Sequence, residues 1–103
     1  DVSLPNPKYY TATAWHYAAR EGNIPALQVF LDAGVDIDLE ATTHMTALIY
    51  AAFFGRAEAV QFLIDEGADL NVRDELNSTA RGWAAYQGFP EIAAIIEAAG
   101  GEI

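Results

Sequence analysis

Thr46-Ala47-Leu48-Ile49-Tyr50-Ala51-Ala52-Phe53-Phe54-Gly55 is the stretch on which the reading of this chain turns. Its opening pair recurs as Thr13-Ala14 and Thr79-Ala80, a constant step of 33 residues. The same step carries Ala51-Ala52 onto Ala18-Ala19 and Ala84-Ala85, Gly55 onto Gly22 and Gly88, and Gly67 onto Gly34 and Gly100. No gap is needed. Agreement in so many columns at one fixed period is the signature of a repeat architecture, with one supersecondary unit per period.

The residue types within a period describe that unit. A threonine opens a short helix, where its hydroxyl accepts from an otherwise orphaned backbone amide. Two alanines follow, small enough for a neighbouring helix to come close. Gly22, Gly55 and Gly88 end the first helix in a left-handed conformation. A second helix begins with Pro25 and Pro90 in its first turn, where the missing amide costs no hydrogen bond. Its apolar face reads Ile24, Leu27, Phe30, Leu31 in the first unit and Ala57, Val60, Leu63, Ile64 in the second, the spacing of an amphipathic helix. Gly34, Gly67 and Gly100 close it, and a polar loop leads onward.

Composition agrees with one packed domain. The chain has 103 residues, 52% of them hydrophobic, which suits a single core and argues against disorder. Fifteen acidic residues against five basic ones give a formal net charge of −10. Such a surface repels phosphate backbones and anionic lipid, so neither nucleic acid nor membrane is expected as a partner. There is no cysteine, which excludes disulfides, thiolate metal sites and cysteine nucleophiles. Asp1 is an unusual cytosolic start, because methionine is normally kept ahead of a large acidic residue. Two expectations stand side by side, a trimmed chain or one that has lost a secretory leader. The second leans to a periplasmic or secreted location.

The pattern resembles the ankyrin repeat over residues 8 to 103, most clearly in Thr46 to Gly55 and in Asp65-Glu-Gly-Ala-Asp-Leu-Asn71. The resemblance implies an all-α solenoid of three stacked helix-turn-helix units with β-turn fingers. The whole chain is then one domain, with an extended arm over residues 1–7 and repeats at about 8–40, 41–73 and 74–103. Three departures bear on the fingers and helix openings. Ala14, Ala47 and Ala80 stand where the family has proline. The family's histidine survives only as His16, against Ile49 and Gly82. Thr11, His44 and Asn77 replace the glycine of the finger turn. Asparagine tolerates the left-handed region and threonine does not readily, so these replacements bear on the finger geometry more than on the helices. The last helix carries mostly alanine and isoleucine and is weakly capped. It either packs on a partner or leaves small alanines in water.

No constellation for catalysis emerges. His16 sits where the family's ring bonds loop backbone, and His44 falls at a loop tip suited to a partner contact. Ser3 and Ser78 lack a nucleophile turn. There is no glycine-rich phosphate loop. Asp36, Asp38, Asp69, Asn71 and Asp74 alternate like calcium ligands, but the required glycine and final glutamate are missing, so they read as loop residues. The expectation is a binding protein, with no catalytic residue, cofactor or metal.

What the resemblance implies for binding is a groove lined by fingers and first helices. Carried over by position, it assigns Tyr9, Tyr10, Arg20, Thr42, Met45, Phe53, Phe54, Glu75, Leu76 and Tyr86, with Glu40 and Arg73 at the junctions. Large exposed rings dominate interface energetics. Alternatively, these rings fold back onto Tyr17, Tyr50 and Trp83, expected in the core. The expected partner is a protein with a basic rim, a hydrolase such as an extracytoplasmic bacterial cell-wall peptidase, met by a monomer that acts as an antagonist or immunity-type inhibitor. The alternative is a scaffold domain cut from a longer chain.

Overall fold

The computed structural model describes the backbone of residues 7–101 and the side chains of residues 14–101. It contains α1 (Pro7–Glu21), α2 (Ile24–Asp32), α3 (Ala47–Phe53), α4 (Ala57–Asp65), α5 (Ala80–Tyr86) and α6 (Pro90–Ala98), and no strand among the described residues. They form three helical hairpins in two layers. One layer stacks α1, α3 and α5, and the other stacks α2, α4 and α6.

The first layer is held close by alanine. Ala19, Ala51, Ala52 and Ala84 are fully buried between neighbouring helices, and the core continues through Trp15, Leu27, Leu48, Ile49, Val60, Leu63, Ile92 and Ile96. Ala85 departs from its column and is exposed, since among the described residues no helix covers that side of α5. Thr46 and Thr79 cap their helices as the sequence predicts, accepting from the amides of Ile49 at 3.3 Å and Gly82 at 3.1 Å.

The first unit differs from expectation. α1 starts at Pro7, so Thr13 lies inside a helix and opens nothing, and Pro7 begins that helix and does not end an extended arm. Residues 1–6 of the expected arm lie outside the described residues. Among the described residues, helix occupies the place of this unit's finger. The turn residues His44 and Asn77 take φ of 65° and 63°. A β-branched residue pays heavily for that conformation, and Thr11, in the same column, sits on helical backbone.

The two remaining fingers share backbone bonds. Ala41 N–H donates to Met45 and Asp74 N–H to Ser78, while the His44 and Asn77 amides donate to Ala41 and Asp74. Glu75 N–H then donates to the Thr43 carbonyl at 3.1 Å and ties one finger to the next. The third finger is braced by a buried carboxylate. The Asp74 carboxylate, 7% exposed, accepts the amides of Leu76 at 3.0 Å and Ser78 at 3.1 Å, and the Trp83 indole N–H at 2.6 Å. The loop carboxylates are also spent on backbone. Asp36 accepts the Asp38 amide, Asp38 the Asp69 amide of the next unit, and Asp69 the Asn71 amide, each at 2.9 Å.

The last unit closes the stack with an arginine. Arg81 stands in the column of Trp15 and Leu48, where the earlier units place core residues. It donates to the Gly101 carbonyl at 3.3 Å and meets Glu97 at 3.3 Å, so the far end of α6 is tied back to α5.

Two predictions follow from this packing. Gly55 and Gly88 have φ of 76° and 85°, but a Cβ at Gly55 would stand 2.8 Å from the Phe89 ring, whereas nothing lies near Gly88. Gly88→Ala should therefore cost about 1–2 kcal/mol for the left-handed backbone alone. Gly55→Ala should cost at least about 1 kcal/mol more, from overpacking. Urea unfolding at unchanged slope measures both, and equal losses would remove Phe89 from that contact. Asp74→Ala strips a brace of three bonds to a charged acceptor and should cost about 3 kcal/mol. Asp69→Ala, which loses one exposed amide bond, should cost about 1 kcal/mol.

Candidate protein-binding surface

The first-helix layer carries a continuous strip of rings across all three units. It starts on α1, where the Arg20 guanidinium lies 5.7 Å from the Tyr17 ring centroid and 5.1 Å from that of Phe54. Phe54 meets Phe53 at 4.9 Å, Phe53 meets Trp83 at 4.8 Å, and Trp83 meets Tyr86 at 5.8 Å with the planes at 82°. These separations fall within the range of favourable ring pairs. Each ring is therefore oriented by its neighbours before any partner arrives.

Helical spacing explains the strip. Tyr17, Tyr50 and Trp83 occupy one column of the repeat, and Arg20, Phe53 and Tyr86 the column three residues later. Residues at i and i+3 are neighbours on a helix surface. Phe54 follows α3 as its C-terminal cap residue, which carries its ring back toward Arg20. Arg20 is steadied from a second direction, since its carbonyl accepts Arg56 Nε–H at 3.0 Å.

The expected core rings need correction. Tyr17 is 58% exposed, and Tyr50 and Trp83 are half-buried. A column that faces the layer's open side has too few neighbours to bury a large ring, and Tyr17 and Trp83 instead become members of the strip. Tyr50 turns the other way and packs on His16, with ring centroids 5.4 Å apart.

The sequence-assigned residues fall into two groups. Arg20, Phe53, Phe54 and Tyr86 come together in the strip, where Phe53 is half-buried, Phe54 exposed and Tyr86 80% exposed. Thr42, Met45, Glu75 and Leu76 lie on the fingers. Leu76 is 69% exposed, Thr42 and Glu75 are exposed, and Met45 packs partly against the core. Tyr9 and Tyr10 lie on the first turns of α1, with side chains outside the described residues. Of the junction residues, Glu40 accepts His44 Nδ1–H at 3.0 Å, and Arg73 donates to the Asn77 carbonyl at 3.0 Å.

Three residues that matter here were not assigned from the sequence. Tyr17 and Trp83 had a signal, the i, i+3 offset from the Arg20 and Tyr86 column. Asp74 had none, because its value comes from the indole that folds back to it, and that bond joins the finger group to the strip. The remaining polar candidates are used structurally. The His16 Nε2–H donates to the Leu39 carbonyl at 2.8 Å, as the resemblance implied. Among the described residues, no group of three or more His, Asp or Glu could hold a metal ion.

The model of the family described as ankyrin repeats, in three copies, matches residues 15–101. No curated protein matches the chain. Ankyrin repeats mark a protein–protein interaction module and are generally non-catalytic. With its three helical hairpins, bridged fingers and 33-residue columns, the chain belongs to the ankyrin-repeat family.

Proposed function

We propose that this interaction module is an antagonist of the immunity type, which binds an enzyme and covers it without reacting with it. The target class suggested by the sequence is a hydrolase with a basic rim, such as an extracytoplasmic cell-wall peptidase. The observation behind this reading is the strip from Tyr17 to Tyr86, partly exposed rings held in fixed relation on a chain of net charge −10. Rigid aromatic anchors supply affinity, and surrounding carboxylates steer a basic partner and set the association rate. A scaffold role is favoured by one different observation: Ala94, Ala98 and Ala99 on and beyond α6 are exposed, a small-residue surface on which a further repeat could stack.

Affinity capture from the native source, followed by titration of the recovered protein, tests the proposal. Phe53→Ala with Phe54→Ala should weaken binding by well over tenfold, with circular dichroism checking the fold, because central ring anchors cost roughly 2 kcal/mol or more on truncation. Tyr86→Ala, at a largely exposed site, should weaken binding with no change in stability. Neutralising Glu40 and Glu75 should slow association and flatten its salt dependence. The antagonist reading requires that the recovered protein be an enzyme and lose activity in the complex. Full binding by the ring variants would move the interface elsewhere, with the α6 surface next in line.

A further inference from the structure

We propose that the corner between Trp83 and Tyr86 receives an arginine side chain from a basic segment of the protein partner, an inference that rests on the strip being the binding surface. The chain's own Arg20 shows what such rings accept. Its guanidinium lies within 6 Å of two ring centroids, Tyr17 and Phe54, the distance at which a cation is attracted to a ring face. Arg20 shares its repeat column with Phe53 and Tyr86. The strip therefore begins with a cation held between rings and ends, in the same column of the later units, on rings that meet no cation among the described residues.

No described arginine is available to fill that end. Arg56 donates to the Arg20 carbonyl, Arg73 to the Asn77 carbonyl, and Arg81 to the Gly101 carbonyl beside Glu97. The corner itself is open, with Tyr86 80% exposed and its ring at 82° to the indole, so that an incoming group meets two ring surfaces. The indole is also electronically prepared. The Asp74 carboxylate accepts its N–H at 2.6 Å, a short charge-assisted bond that pushes electron density into the ring and deepens its attraction for a cation. A chain carrying ten more negative than positive charges draws a basic segment to this surface. A guanidinium suits the corner better than an ammonium, because it is planar, weakly hydrated and stacks on ring faces.

The test follows the two tryptophan indole N–H resonances by NMR while a glycine-spaced peptide with three arginines is added. Trp15 is fully buried and serves as the internal control. The Trp83 resonance should shift saturably and that of Trp15 should not. The same peptide with citrulline in place of arginine, equal in shape and uncharged, should bind at least about tenfold more weakly, and a lysine version should fall between them. Tyr86→Leu should weaken the arginine peptide by about two- to fivefold, the value of one exposed cation–ring contact, at unchanged net charge. Equal binding of the citrulline or lysine peptide, or an unchanged affinity in Tyr86→Leu, overturns the inference. If the arginine peptide leaves Trp83 unmoved while the Phe53 and Phe54 variants still lose the captured partner, the corner is wrong and the strip stands. If those variants also bind normally, both fall.

Discussion

The close approach of α1, α3 and α5, set by the buried alanines at positions 19, 51, 52 and 84, fixes the spacing on which everything else in the stack depends. Helices separated by alanine methyls bring their flanking side chains into register. That register lets a ring on one unit meet a ring on the next, and lets Glu75 N–H reach the Thr43 carbonyl. A larger residue in any of those places would push the layers apart and unpair the surface as well as the core. In a solenoid each unit is stabilised only by its neighbours, so this one contact carries both the fold and the geometry of the binding surface.

The two ends show what happens where a neighbour is missing. At the start, residues 7 to 13, which correspond to the fingers of the later units, continue the helix of the first unit. At the other end, Ala85 is exposed among the described residues, and Arg81 takes the place of a core residue and ties α5 to the end of α6. The middle unit, flanked on both sides, contributes five fully buried residues from α3 alone. The repeat is the same in each unit, but its environment is not.

The proposed function rests on the open side of the same layer. Rings there stay partly exposed, each oriented by its neighbours, and Asp74 couples one of them to the finger beyond. Pre-ordered rings lose little freedom on binding, which would favour affinity if the proposed surface is the one used. The acidic surface would favour encounter with a basic partner.

The 33-residue columns alone determined the repeat, the helix pairs, the glycine ends and the threonine caps of the second and third units, because each depends on local backbone chemistry; Thr13, inside α1, is the exception. They also placed Arg20, Phe53 and Tyr86 in one column, enough to mark a surface. Tertiary structure decided the rest. Whether Tyr17 and Trp83 were core or surface depended on how many neighbours stood over their column, which no local pattern encodes. His44 took a left-handed turn, in a finger bonded to the next one, and Thr11 stayed helical, although both stand in the same column. Asp74 looked like one more loop carboxylate until folding brought it within 2.6 Å of an indole nitrogen nine residues away.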